Sequence, residues 1–426
     1  MIKKLLFILF PFFGFSQGYT SYFTGNNTNI STNTEFGVCL MGGATEHDNA
    51  MKWLLQKANG GDVVVLRSSG SNGYNNYLYS ELGIQVNSVE TLVITSVAGA
   101  TNPYVLNKVA NAEMIWFAGG DQYNYISYFK NNALEDLLNN HINIKNAPIG
   151  GTSAGMAILG QFYFSAQNGS ITSSQALANP YHPNVTIGYD DFLNVPFLQN
   201  VITDTHYDNP DRRGRHATFM ARNRSLVNEN VYGIACNEYV AVCIGDDGIA
   251  RVYGDYPNYQ EFAYFIQSNC ENESGPEICQ SNSPLTWNYG GQALKVYKVP
   301  GTMNGSNYYN VNNWSNGIGS GGNWENWSVN NGNFITVTGV APTCNLNNQN
   351  FGLDEMSLYP NPAQDFIKLD SFKNAEISIY DSQGKLIQKI NSLDSNLIDI
   401  SSYPKGVYLI KIFDSNKFKT KKFFKN

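Results

Sequence analysis

Charge is what this sequence has least of. Asp, Glu, Lys and Arg make up 14% of its 426 residues, against roughly 25% in an average soluble domain. Basic residues are scarcer than acidic ones, 27 against 34, for a net charge of −7. That balance disfavours nucleic acid as the main partner, because phosphate binding draws on clustered Lys and Arg. Histidine is scarce too: five occur and none stands beside a CxxC, so the spacing of a zinc site is missing. After the N-terminus no apolar run reaches the ~20 residues of a spanning helix. What is plentiful is apolar and aromatic surface, 42% and 13% of the chain, which suits a folded extracellular protein better than a disordered one.

The opening MIKKLLFILFPFFGFSQ reads as a signal peptide over residues 1–17. Lys3 and Lys4 supply the positive start, and the apolar stretch 5–15 is too short to span a bilayer comfortably. Cleavage is expected near Ser16 or Gln17. An exported chain can form disulfides, and of the six cysteines Cys270 and Cys279, flanking a polar loop, are the expected pair. Cys39 lies inside an apolar strand and is expected to be buried.

Residues 18–342 read as the span of one large main domain, with strand and helix patterns alternating to about residue 300. FGVCLMGG, DVVVLRSSG, TLVITSV and MIWFAGGD are short apolar runs, and HDNAMKWLLQKANGG carries helical spacing with a glycine stop. Such strands between amphipathic helices predict an α/β fold, a mostly parallel sheet covered on both faces, with the site at the strands' carboxyl ends. The Asn-, Gly- and Trp-rich stretch 301–335 reads as a long surface excursion packing its aromatics onto the domain. The alternative is a carbohydrate-contacting loop. Residues 343–354 read as a linker, and 355–426 as short alternating strands of a small antiparallel sandwich.

The sharpest motif is Gly151-Thr152-Ser153-Ala154-Gly155, placed between a strand end, NAPIG, and an expected helix start, MAILGQ. This G-x-S-x-G spacing suits a tight strand-to-helix turn that lifts a serine hydroxyl into the open, with free N–H groups at the helix start facing a developing oxyanion. A serine hydroxyl needs a base. His47 and His141 sit at helix ends, where capping or dipole roles suffice, and His182 lies in a polar loop. His206 follows the apolar run ending at Thr203, so it stands at a strand terminus and ranks ahead of His216 as the base. The carboxylate that would orient it is either Glu238, which interrupts an apolar stretch, or Asp204, two residues from His206 and on the same side of an extended chain.

The ordered set FAGGDQ (117–122), GTSAG, DTH (204–206), the arginine cluster after it and GIACNE resembles the S51 peptidases, cyanophycinase in particular, over about residues 36–300. The resemblance implies a three-layer α/β sandwich related to class I glutamine amidotransferases. It implies Ser153 as nucleophile, His206 as base and Glu238 as third triad member. Backbone N–H groups of Gly120 and Ala154 would form the oxyanion hole. Gln122, Asp204, Arg212 and Arg215 would contact or orient an aspartate-containing substrate. No metal or organic cofactor is required. Two positions depart from the cyanophycinase pattern: Pro210 replaces an arginine and Thr205 a glutamine. The implied activity is serine exopeptidase action on aspartate-containing peptides, with cyanophycin among the substrates. The alternatives are another S51-type dipeptidase, an amide or ester hydrolase, or a non-catalytic surface binding protein. Oligomeric state stays open, a homodimer among the options.

The PNP turn, the DSQGK hairpin, the YPKGVYLIKI strand and the Lys-rich end (Lys417, Lys419, Lys421, Lys422, Lys425) resemble the type A C-terminal sorting domain of type IX secretion. That implies the secretion machinery as a partner and a secreted or cell-surface location.

Overall fold

The computed structural model describes residues 17–271, 275–314, 317–343, 358–369, 376–381, 385–390, 397–414 and 417–426. The expected signal peptide up to residue 16, and the expected linker from residue 344, lie outside the described residues. Among the described residues no helix is long and apolar enough to cross a membrane. The chain divides into two units, residues 1–344 and 345–426.

The described residues of the first unit form eighteen strands. In chain order they are β1 (Tyr19–Gly25), β2 (Gly37–Met41), β3 (Asp62–Arg67), β4 (Ser88–Ile94), β5 (Met114–Phe117), β6 (Ile149–Thr152), β7 (Phe162–Phe164), β8 (Ile187–Tyr189) and β9 (Val201–Asp204). The rest are β10 (Tyr232–Cys236), β11 (Ala241–Gly245), β12 (Ile249–Tyr253), β13 (Phe262–Ser268), β14 (Leu294–Pro300), β15 (Asn307–Asn310), β16 (Gly319–Ser320), β17 (Asn323–Asn330) and β18 (Asn333–Thr338). The first sheet has the order β1-β4-β3-β5-β6-β2-β11-β12-β15-β16. Its centre, β4-β3-β5-β6-β2, is parallel. Both faces of these strands are covered, so VVVL, TLVI and MIWF read as unbroken apolar runs. Each fully buried Val, Ile or Leu contributes about 1.5–3 kcal/mol to holding that centre together.

The flanks depart from the mostly parallel expectation. Strand β1 and the β11-β12-β15-β16 side are antiparallel, so this sheet is mixed. A second sheet, β18-β17-β14-β13-β10-β9-β7-β8, is antiparallel except at β10-β9-β7. On one face of the first sheet, Met51, Leu54 and Leu55 of the helix Asp48–Lys57 pack on Val63, Val65 and Trp116. On the other face, helices Pro103–Asn111 and Ala133–Asn143 share a core with residues of the second sheet such as Val201, Ile234 and Phe265. The far side of the second sheet packs on Ala217, Phe219, Met220 and Ala221 of the helix Arg213–Val227.

The 301–335 stretch does pack aromatics onto the domain, but as strands of both sheets rather than as a surface excursion. It supplies β15 and β16 to the first sheet and β17 and the start of β18 to the second. Trp327 is fully buried and Trp314 nearly so, which removes them from any carbohydrate-binding surface. Cys39 is buried as expected. The Cys270–Cys279 pairing is not formed: Cys270 is disulfide-bonded, but Cys279 is a free thiol that packs partly buried against the second core.

In the second unit, Leu358–Tyr359, Phe366–Leu369 and Leu397–Asp399 form one antiparallel sheet. Glu376–Asp381, Leu386–Ile390, Gly406–Asp414 and Lys417–Lys425 form another. Alternate residues, among them Ile367, Leu369, Ile377, Ile379, Ile410 and Ile412, meet in one apolar core, as the period-two pattern predicts.

Candidate active site

Ser153 sits on the turn between β6 and a single helical turn, Ala154–Ala157. Its backbone has φ 53 and ψ −118, a sparsely populated region that costs of order 1–3 kcal/mol for a residue with a side chain. The surroundings hold it there. Ser153 N donates to Met41 O at 3.0 Å and Ser153 O accepts from Ala157 N at 3.0 Å. The turn is so tight that a Cβ on Gly155 would lie 2.3 Å from Phe117 O, which is why glycine stands there. The helix expected to start at MAILGQ is a single turn that ends at Ala157, so its dipole adds little.

His206 follows β9 and Glu238 follows β10, its parallel neighbour in the second sheet. Ser153 and His206 therefore come from different sheets. The end of β2 joins them: Met41 O receives Ser153 N and Gly42 O receives His206 N at 2.8 Å. The side chains then form a relay. Ser153 Oγ lies 2.8 Å from His206 Nε2, and His206 Nδ1 lies 2.6 Å from Glu238 Oε1. Both spacings are within proton-transfer reach. Glu238 is fixed in turn by its backbone N–H, which donates to Asp208 Oδ1 at 3.2 Å.

Ser153 opens into a cleft of about 350 Å³ lined also by Gly120, Gln122, Ala154, Ser170, His206, Arg212 and Arg215. The turn after β5 lies against the serine: a Cβ on Gly119 would come within 3.4 Å of Ser153 Cβ. Gly120 and Ala154 line the same cleft as Ser153. Gln122 begins the helix Gln122–Phe129 and reaches Phe164 O at 3.5 Å.

The two arginines differ. Arg215 Nε and Nη2 grip Asp204 Oδ2 and Oδ1 at 2.9 and 2.5 Å, and its Nη1 reaches Ile171 O and Ser170 Oγ at 3.3 and 3.4 Å. Burial works against the Asp204 charge, but the Arg215 guanidinium outweighs it and holds the carboxyl below its ordinary range. Arg212 gives one N–H to Thr205 O at 3.1 Å and, among the described residues, enters no ion pair. Burial, then the neighbouring Arg215 charge, lowers its pKa.

The other histidines lie elsewhere. His216 is fully buried between Tyr207 OH and Ile202 O, and burial pushes its pKa down to about 4. His141 is buried on Pro148 O and likewise pushed to about 4. His182 Nδ1 accepts from Asn184 N at 3.1 Å. His47 occupies the N-cap position but makes no side-chain cap bond. Three contributors were not singled out from sequence: Asp208, Ser170 and Gly43. Only Gly43 left a trace, the glycine pair closing an apolar strand.

A serine, an imidazole and a carboxylate in hydrogen-bond sequence, at the mouth of a mixed α/β fold, define a hydrolase-type site. Residues 72–252 match the peptidase family S51 model, and residues 357–426 match the secretion system C-terminal sorting domain. The chain thus joins a segment similar to the S51 peptidases to a sorting domain that directs it through type IX secretion to the cell surface or beyond. No curated protein matches it. Among solved structures, a peptidase from an acI-B1 Actinobacterium aligns with TM-score 0.39 and 14% identity over 54% of this chain and 93% of its own. A structure from Listeria monocytogenes EGD-e named for peptidase E aligns with TM-score 0.33 and 15% identity over 51% and 98%.

Proposed function

We propose that the exported chain is a serine exopeptidase cleaving amide bonds beside an aspartyl unit, with Ser153, His206 and Glu238 as its triad. The observation that carries this reading is the continuous relay from Ser153 Oγ through His206 to Glu238, 2.8 and 2.6 Å, facing an open cleft. Ser153 Oγ attacks the carbonyl carbon as its proton passes to His206 Nε2. Glu238 holds the imidazole with its proton on Nδ1 and stabilises the imidazolium. The oxyanion rests on the N–H groups of Gly120 and Ala154. His206 returns the proton to the leaving amine, and water resolves the acyl-enzyme.

Arg212 is the cation best placed to meet the substrate carboxylate. Arg215 is already saturated by Asp204, and Pro210 offers no charge. A single clamp of this kind suits a short acidic peptide better than a long polyaspartate backbone, so aspartyl dipeptides rank ahead of cyanophycin.

A fluorophosphonate probe tests the chemistry. Labelling of the wild type, absent in Ser153→Ala, is the expected result; no labelling would leave a binding protein on the same scaffold. Side-by-side digestion of aspartyl dipeptides and cyanophycin granules tests the substrate. Faster turnover of granules than of dipeptides would reverse the ranking.

A further inference from the structure

Cys39 and Cys243 stand directly opposite each other in the antiparallel pair β2–β11. Their sulfurs lie 3.5 Å apart with both residues fully buried. Directly opposed antiparallel residues have Cα atoms about 4.5–5.5 Å apart, inside the roughly 4.4–6.8 Å range that a disulfide accepts. Both sulfurs already point to the same face of the sheet, in the core that holds Met41 and Trp116. Closing the bond asks only that the two side chains swing together by about 1.5 Å, to the ~2.05 Å of an S–S bond.

The chain's route supplies the conditions. Its sorting domain sends it out of the cell, through compartments where thiols oxidise, and Cys270 of the same chain is disulfide-bonded. We propose that the mature exported protein carries a Cys39–Cys243 disulfide stapling β2 to β11. Two S–H bonds break and one S–S bond forms. The two electrons and two protons pass to a disulfide-bearing oxidoreductase or small-molecule disulfide, which leaves as two thiols. Because neither sulfur is accessible in the closed fold, the bond forms before the core closes and is sheltered from reductants afterwards.

The position gives the staple a purpose. The end of β2 receives Ser153 N on Met41 O and His206 N on Gly42 O, and β11 follows directly from the turn that carries Glu238. Linking β2 to β11 therefore ties the seat of the nucleophile and base to the strand behind the acid. Cys236 lies in a different core cluster and gives its thiol to Leu40 O at 3.7 Å. Together with the free Cys279 it provides an internal control.

The test uses the full-length chain secreted by its own host, denatured without reductant, alkylated with iodoacetamide and mapped by mass spectrometry. Cys236 and Cys279 should appear alkylated, and Cys39 and Cys243 together in one disulfide-linked peptide pair. Recovery of Cys39 and Cys243 predominantly as alkylated thiols overturns the proposal. As a second measurement, Cys39→Ala, Cys243→Ala and the double variant should each lower the melting temperature by a similar several degrees, since each removes the same bond. Losses that simply add would speak for two independent buried thiols and against the staple. Neither readout depends on catalysis, so a failure of the peptidase assignment leaves this outcome readable.

Discussion

Arg215 closes both arms of its guanidinium on Asp204, with the two side chains 5% and 4% exposed. Asp204 ends β9, two residues before His206, and its Oδ1 also receives Thr205 N at 2.8 Å. The pair therefore fixes the segment from which His206 projects. A buried ion pair adds little net stability, but removing one partner strands the other charge. Arg215→Gln should lower stability by about 3–5 kcal/mol and reduce kcat as His206 loosens. The double variant Asp204→Asn/Arg215→Gln should lose less than the sum of the singles. Urea unfolding of the four proteins measures this. A full-stability Arg215→Gln with only a raised KM would make Arg215 a substrate ligand instead.

Arg212 should behave in the opposite way. Among the described residues its guanidinium has one hydrogen bond, to Thr205 O, which leaves donors for the cleft. Arg212→Gln is expected to weaken binding of acidic substrates by about 2–5 kcal/mol with a melting temperature near wild type. Steady-state kinetics on aspartyl and uncharged peptides separate the cases. An equal effect on both would remove Arg212 from carboxylate recognition.

What could be read from the sequence, and what could not, follows from how local each signal is. The elbow at Ser153 is encoded in five adjacent residues, and the parallel strands in short apolar runs, so both were legible. His206 could be placed because β9 ends just before it. Two carboxylates stayed open on residue pattern alone. Nothing local distinguishes Glu238, which meets His206 Nδ1, from Asp204, which turns away to Arg215. The second sheet was hidden for a related reason. Asn and Gly dominate 301–335 and read as turns, and the pairing that makes strands of them, such as Trp327 with Leu294, spans long stretches of chain. Cys270 and Cys279 are close in sequence, but Ile278 bridges to Thr286 and carries Cys279 with that turn.

Gly43 bears directly on the His206 ring. Its φ is 119, and a Cβ there would lie 2.4 Å from His206 Cε1 and Nε2. An alanine must therefore push the imidazole off Ser153. Gly43→Ala should cost roughly 10²-fold in kcat through misplacement alone, with the far-UV circular dichroism of the wild type. Turnover within a few-fold of wild type would mean that the ring has another productive seat.

The two buried histidines set the acid limit of the fold. Burial pushes His141 and His216 from an ordinary value near 6.5 down to about 4, so the unfolded chain binds protons that the folded chain refuses. Stability then rises with pH wherever the unfolded state holds more protons. Both contributions are complete above about pH 6.5 and are lost as pH falls towards 4. Each is worth up to about 3 kcal/mol across that interval. Asp204, whose folded pKa is lowered, adds a further loss only at lower pH, as its carboxyl protonates. Melting temperatures from pH 8 to pH 4 should decline most steeply between 6.5 and 4. His216→Gln should flatten that decline even though it lowers the plateau, because a neutral amide has no proton to gain on unfolding. An unchanged slope in His216→Gln would place the acid sensitivity elsewhere.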